Sequence, residues 1–353
     1  MVELAQVELK LRNICLRAIE KGSEEIYLLV SAPPFLRIDG DLQPLASAGI
    51  LSETDLVQIK SLILGEKEKE FKDEYSLVYP LEKVGNVWVE IVKEKRGFSI
   101  YLKFLDRQIK EDFLNTLPKL VQNLAEQEKG VVFISGPHDS GKSTLAACLL
   151  DKINKEQTKF ISTLEKPIKY RFESKKSLIE QREVGEHVSS FKQGLISLKE
   201  KNVDVCLITK LEDKESLDMI FEIAEMGTLV FVISYFCSSI GLIRHLLHFY
   251  SVEEQERARY FLSKNLAGII CTRLVPKIGG GRIMALEVLP ATPAVQTIIK
   301  EGKLYQLHTF LQSESAISLE RYLADLVISG KVLFEQGLKS AIDPDSLKRI
   351  LSR

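Results

Sequence analysis

The sequence has almost no net charge. Its 48 Lys and Arg stand against 49 Asp and Glu, which leaves −1 at neutral pH. That balance gives no global basic footprint, so nucleic acid is not an expected partner. No apolar run approaches the ~20 residues needed to span a bilayer, so no transmembrane segment is expected. The opening stretch MVELAQVELKLRN lacks the basic start and apolar core of a signal peptide. Cysteine is sparse: Cys15, Cys148, Cys206, Cys237 and Cys271 are scattered, with no C-x-x-C pair. Such an odd, dispersed set in mostly apolar contexts predicts buried free thiols in a reducing compartment. His187, His245, His248 and His308 form no metal-ligand spacing. There is no Ser-His-Asp or thiol-nucleophile constellation, no low-complexity tract and no solenoid repeat. These absences point to a cytoplasmic protein, able to dock peripherally on a membrane complex.

What is present is ordinary globular composition, 45% hydrophobic and 27% charged, over 353 residues, enough for two domains. Residues 3 to 22 read as one amphipathic helix, with Leu4, Val7, Leu11, Ile14, Cys15 and Ala18 at helical spacing and Gly22 as a stop. Residues 24 to 45 read as two short strands joined at Pro33-Pro34, with a turn at Asp39-Gly40-Asp41. Ser52 to Asp55 is a capping-box pattern ahead of a second helix. VWVEIV and FSIYLKFL alternate as paired strands around Arg96-Gly97. A small α+β domain is expected over residues 1–108, and a linker over 109–115.

From residue 116 the pattern becomes α/β. GVVFIS, TKFISTL, DVCLIT and TLVFVIS are short continuous apolar runs, as in strands buried on both faces of a mainly parallel sheet. Beyond residue 245 the chain reads as mostly helical, interrupted by a hairpin across Gly279-Gly280-Gly281.

GPHDSGKST, residues 136 to 144, contains G-x-x-x-x-G-K-S between an apolar strand and a helix. Glycines at both ends let the backbone curl its N–H groups toward phosphate oxygens, and the following helix adds its positive end. Gly136, Pro137, His138, Asp139, Ser140, Gly141, Lys142, Ser143 and Thr144 are therefore candidate nucleotide-binding residues. Lys142 would reach the β/γ phosphates, and Ser143 would ligate Mg²⁺ if that ion is bound. Asp139 adds negative charge to a loop built for anions. His138 is a candidate to touch nucleotide.

Several segments together resemble the secretion ATPases of type II secretion and type IV pilus machines, closest to the pilus-retraction, or twitching-motility, branch. PPFLRIDG resembles that family's PPxxRxDG, and GPHDSGKST its GPTGSGKST loop. STLEKPIKY resembles its acidic xxEDPIEx box, and IEQREVGEHVSSF its QREVGxDTxSF. DVCLITKLED falls where DVILVGEMRD is expected, and GTLVFVISYFCSS where GHLVFATLHTNSA is. TPAVQTIIKEGK resembles TPAIRNLIREGK. The similarity runs from about residue 10 to about residue 345. It implies a PAS-like N-terminal domain, a RecA-like P-loop core over 116–245 and a mostly helical C-terminal part over 246–353. It also implies ATP as ligand and a homohexameric ring, or a mixed ring with an active paralogue, working on an inner-membrane pilus or secretion platform.

Within that resemblance the acidic set is largely reversed in sign. The family's Walker-B-type glutamate falls on Lys210, and the acidic-box aspartate and second glutamate on Lys166 and Lys169. Glu165 is the one acidic candidate retained there for catalysis. The two family histidines fall on Tyr235 and Thr228. The arginines that approach the phosphates fall near Trp88 and Lys103, and the arginine after the Walker-B glutamate falls on Glu212. A register shift of one or two residues would instead leave Glu212 or Asp213 to coordinate. The pattern implies a nucleotide-binding pseudoenzyme that hydrolyses poorly. The alternatives are a working motor with substitute residues and a scaffold with an empty pocket.

Overall fold

The computed structural model describes residues 2–105, 109 and 112–352, with side chains from residue 4 onward. The chain divides into two compact units, Met1–Gln108 with Lys169–Arg171, and Ile109–Ile168 with Phe172–Arg353. Of the sequence-predicted linker, residues 110 and 111 lie outside the described residues. Leu114, at its end, is buried in the core of the second unit.

In the first unit the order is α1 (Val2–Glu20), β1 (Glu25–Leu28), β2 (Phe35–Ile38), β3 (Asp41–Pro44), α2 (Glu53–Leu64), β4 (Glu74–Leu81), β5 (Gly85–Glu94) and β6 (Gly97–Phe104). The strands form one antiparallel sheet in the order β3-β2-β1-β6-β5-β4. The periodic face of α1 does what its spacing predicts: Leu11, Ile14, Cys15 and Ala18 are buried with Leu56, Ile59 and Ile63 of α2 against Ile26, Leu28, Val89, Ile91, Ile100 and Leu102. Each such aliphatic side chain contributes about 1.5–3 kcal/mol when removed from water. The Ser52–Asp55 capping box forms as read, with the serine hydroxyl accepting from Asp55 N–H and the Asp55 carboxylate accepting from Ser52 N–H. Two strands depart from the reading. After the Asp39-Gly40 turn the chain continues as a third strand, β3, wholly exposed at the sheet edge. β4 is the opposite edge; it turns Tyr75, Leu77, Tyr79 and Leu81 to the core, and its Pro80 is tolerated at an edge.

The second unit contains α3 (Lys119–Asn123), β7 (Gly130–Ser135), α4 (Lys142–Glu156), β8 (Phe160–Glu165), β9 (Leu178–Glu183), α5 (Phe191–Glu200), β10 (Val205–Ile208), α6 (Lys214–Glu225), β11 (Leu229–Ile233), α7 (Ser239–His248), α8 (Gln255–Asn265), β12 (Leu266–Pro276) and β13 (Arg282–Pro290). It ends in α9 (Pro293–Lys300), α10 (Gln306–Leu311), α11 (Leu319–Ile328), α12 (Phe334–Ser340) and α13 (Pro344–Leu351). The sheet order is β13-β12-β7-β11-β10-β8-β9, parallel throughout except for β13. The continuous apolar runs are explained by burial on both faces. Val131 and Phe133 of β7 face one core with α5 to α8, while Val132 and Ile134 face the other with α4. The glycine hairpin is β12–β13, and it extends the same sheet beside β7. A smaller apolar cluster joins Val275 and Ala285 of that hairpin to α11 and α13.

Four of the five cysteines are buried, as the dispersed apolar contexts predict, and all five are free. Burial raises the thiol of Cys15 to about 12 and that of Cys148 to about 11. Cys237 differs: it is exposed, because it lies in the turn between β11 and α7 rather than in either element.

Candidate functional site

In a parallel sheet, loops that leave the carboxyl ends of the strands share one edge, where ligands of such folds bind. Here that edge gathers the loop after β7, the Glu165-Lys166 end of β8, the Thr209-Lys210 end of β10 and the Ser234-Tyr235 end of β11.

The loop after β7 needs its glycines. Gly136 has φ 145°, and a Cβ there would fall 2.4 Å from the Thr272 carbonyl oxygen on β12. Gly141 has φ 90° and precedes the first residue of α4; its Cβ would fall 2.4 Å from Met284 Cε. Asp139 also lies in the left-handed region, with φ 52°. Asp is among the few non-glycine residues that tolerate that conformation, so the resembled family's loop glycine is replaced without loss of backbone shape. The hairpin braces the loop. Ser140 and Thr272 hydroxyls share a hydrogen bond of 3.0 Å, Thr272 donates to Ser135 O, and Arg282 reaches Asp139 O at 3.5 Å.

Lys142 is 6% exposed. Its ammonium donates to Gly136 O at 2.8 Å, to Pro137 O and to Ser140 Oγ. It also lies 4.5 Å from the centre of the Tyr235 ring, and the His138 ring makes a tilted contact with Tyr235 at 4.8 Å. Ser143 and Thr144 follow on the first turn of α4, where the positive helix end faces the loop. The nine loop residues singled out in the sequence are thus one continuous structure.

The acidic side is arranged differently. Glu165 is 5% exposed, and its Oε1 accepts from Thr163 Oγ1 at 2.9 Å and Gln181 Nε2 at 3.2 Å. Lys166 is exposed, and its backbone N–H donates to Thr209 Oγ1, tying the end of β8 to β10. The Lys210 ammonium pairs with Glu212 at 3.0 Å on the surface. Asp213 caps α6 by accepting from Ser216 N–H at 2.8 Å, and the Ser216 backbone and hydroxyl bonds hold its carboxyl below the usual range. Both acids that a shifted register would offer are therefore engaged. Lys169 lies in the stretch between β8 and β9.

QREVG serves structure. The Gln181 carboxamide donates to Glu165 and accepts from Phe172 N–H, and Glu183 Oε2 accepts from Ile168 N–H. Burial is the main force raising the Glu183 carboxyl. His187 Nδ1 accepts from Glu183 N–H. His245 packs between Phe236 and Phe249, and burial, then His248, lowers its pKa. Thr228 is buried and donates to Val203 O at 2.7 Å. In the first unit, Trp88 and Lys103 are cross-strand neighbours, and Lys103 pairs with the buried carboxylate of Glu25, which Arg37 also approaches at 3.5 Å. No group of three or more His, Cys, Asp or Glu poised to hold a metal occurs among the described residues.

The residues that sequence reasoning missed are Thr272, Arg282, Met284 and Gln181. They come from other strands, and their only sequence signal was the glycine hairpin and the QREVG match. A cavity of about 540 Å³ elsewhere, lined in part by Glu287, His308, Arg321 and Arg349, includes none of the loop residues.

A central parallel strand, a glycine-hinged loop closing on a buried lysine and a helix leaving from that lysine define a P-loop protein of the nucleotide-triphosphatase type. The chain belongs to the type II/IV secretion system protein family, whose model matches residues 102–281. It is 27% identical over 332 residues to the type IV pilus retraction ATPase PilT of Pseudomonas aeruginosa, covering 93% of this chain and 96% of that one. It is 28% identical over 320 residues to a twitching motility protein of Neisseria gonorrhoeae, covering 89% of this chain and 86% of that one. Among solved structures, the pilus retraction motor PilT with bound ADP superposes with a TM-score of 0.82 at 32% identity, over 95% of this chain and 98% of that one. The Legionella pneumophila ATPase DotB, at 18% identity, shares the fold with a TM-score of 0.80, over 93% of this chain and 94% of that one. Among the described residues, no helix is long and apolar enough to cross a membrane.

Proposed function

We propose that this chain is an ATP-binding subunit of a type IV pilus or type II secretion-like machine that hydrolyses its nucleotide poorly and acts in assembly or regulation. The observation that carries the reading is the contrast at one sheet edge. The phosphate loop is complete, while the strand end that would hold an acid for water activation bears Lys210, paired with Glu212. A lysine ammonium accepts no proton at neutral pH. Loss of a general base costs about 10²- to 10⁴-fold, and loss of an arginine contact to the transferring phosphoryl group costs on the order of 10³- to 10⁵-fold. Lys103, at the position of one such arginine, is already paired with Glu25.

The loop fits nucleotide phosphates: Gly136 has no room for a Cβ beside the Thr272 backbone, Gly136 and Gly141 both hold the positive φ that favours glycine, and Lys142 is buried beside them. Ser143, on the first turn of α4, would hold Mg²⁺ if that ion is bound, and the ion would screen phosphate charge. A homohexamer, or a mixed ring with an active paralogue, docked peripherally on an inner-membrane platform from the cytoplasm, is the assembly we infer.

A second reading, a working motor, is favoured by Glu165, which keeps its carboxylate at the same sheet edge. A scaffold with an empty pocket is the third. Nucleotide binding and phosphate release measured on the same purified protein separate the three. We expect bound ATP, held much more weakly by Lys142→Ala, with phosphate release near the level of that variant. Multiple turnovers abolished by Glu165→Gln would establish the motor, and absence of binding would establish the scaffold.

A further inference from the structure

Tyr235 is not a loose surface residue. It stands at the carboxyl end of β11, the strand hydrogen-bonded to β7. The next residue, Phe236, is clamped by Ser135: the serine hydroxyl donates to Phe236 O at 2.7 Å and accepts from Phe236 N–H at 2.9 Å. Three residues further on, Ser239 donates from both its N–H and its hydroxyl to Glu287 Oε1, each at 2.7 Å. Ser238 caps α7 by accepting from Gly241 N–H. This backbone sets where the Tyr235 side chain leaves the chain, and the ring, 49% exposed, makes two contacts with the phosphate loop. One is the face-on contact to the Lys142 ammonium at 4.5 Å. The other is a tilted ring contact with His138, at 4.8 Å and 32° between planes.

We propose that Tyr235, seated against His138, is an aromatic cover over Lys142 that sets phosphate number at this site, favouring a nucleoside diphosphate over a triphosphate. The inference rests on the nucleotide-binding reading and deepens it. An ammonium has three N–H bonds. Gly136 O, Pro137 O and Ser140 Oγ already draw on those of Lys142, and the Tyr235 ring lies against it as well. The face of an aromatic ring is negative, so it holds a cation and repels an approaching phosphate oxygen. Backbone N–H groups of the loop cradle the α and β phosphates, and the lysine reaches the β and γ phosphates, so the terminal phosphate leans on the lysine without the backbone cradle that the β phosphate also has. A diphosphate therefore keeps the backbone cradle with the cover in place and loses less to it. A triphosphate must displace the ring from the ammonium, which lowers its affinity without closing the site.

The test is calorimetric titration of the full chain with ATP and with ADP, comparing wild type with Tyr235→Leu, Tyr235→Phe and His138→Ala, and taking Lys142→Ala as baseline. Wild type is expected to bind ADP more tightly than ATP. Tyr235→Leu is expected to tighten ATP about 2- to 30-fold, the factor that loss of one cation–π contact corresponds to, and to change ADP little. Tyr235→Phe, which keeps the ring, should retain the wild-type preference. His138→Ala, which removes the neighbouring ring, should fall between. If wild type binds nucleotide and Tyr235→Leu leaves the ATP-to-ADP ratio unchanged, the cover is overturned while nucleotide binding stands. If neither wild type nor Tyr235→Leu binds above the Lys142→Ala baseline, nucleotide binding fails and the cover with it. Binding that emerges only in Tyr235→Leu and His138→Ala supports the cover.

Discussion

On one edge of the second unit's sheet, two groups of strand ends face different fates. At β7 the loop 136–144 is held from behind by the β12–β13 hairpin, through Thr272, Met284 and Arg282. Two strands away, across β11, β10 ends in Thr209-Lys210, with β8 and Glu165 beyond it. There each carboxylate is committed to the protein itself: Glu165 to Thr163 and Gln181, Glu212 to Lys210, Asp213 to the α6 cap. The difference teaches that the loop's shape is set by backbone conformation, packing and one buried lysine, whereas the positive charge at the other strand ends is carried by exposed Lys166 and Lys210, outside the apolar cores.

The comparison breaks first at the loop. Lys142→Ala is expected to weaken nucleotide binding about 10- to 150-fold, as for loss of a charge-assisted hydrogen bond, read by calorimetry. Unchanged affinity would mean that the loop is not the site. Gly136→Ala would put a Cβ 2.4 Å from Thr272 O at a backbone position with φ 145°. A loss of about 1–3 kcal/mol in chemical denaturation is expected, together with lost binding, whereas a stable, binding variant would refute the close-packed loop.

The other side is sharpened by restoring charge. Lys210→Glu, combined with Lys166→Asp, is expected to raise phosphate release about tenfold over wild type, a fraction of what a well-placed general base supplies. No gain, with binding retained, would show that the missing contacts lie elsewhere. The smallest effect concerns Asp213. Its carboxyl titrates below the ordinary aspartate range because Ser216 donates to the ionised form. Its stabilising contribution is therefore complete above the unfolded pKa and is lost as pH falls through the lower, folded one. Asp213→Ala is expected to cost about 1 kcal/mol at neutral pH and much less in strong acid, read by denaturation at the two pH values. An equal loss at both would contradict the cap.

How far the sequence could carry this picture depends on the range of the interactions. α1, the Ser52 cap and the buried strands are local or periodic patterns, and they fold as read. The loop was legible because its glycines and lysine are contiguous. β3 was not, because an edge strand exposed along its whole length needs no apolar face; β4 carries its core face on every second residue, Tyr75, Leu77, Tyr79 and Leu81, a pattern the reading passed over. The brace on Gly136 and Gly141 comes from residues more than a hundred positions later, and nothing in their own neighbourhood announces it. The family alignment put Tyr235 where a histidine is expected, but only the fold brings it against His138 and Lys142. The lysines at 166 and 210 were visible as sign changes. Their side chains on the surface, with Lys210 turned to Glu212, could be seen only in three dimensions.

The most direct measurement is a single-turnover experiment: load the protein with γ-labelled ATP, remove the excess, and follow bound nucleotide and free phosphate together. ATP that leaves the protein intact, with phosphate appearing no faster than from Lys142→Ala, is the expected result. Stoichiometric phosphate released while the nucleotide is still bound would mean that this sheet edge does activate water, and that Lys210 does not silence it.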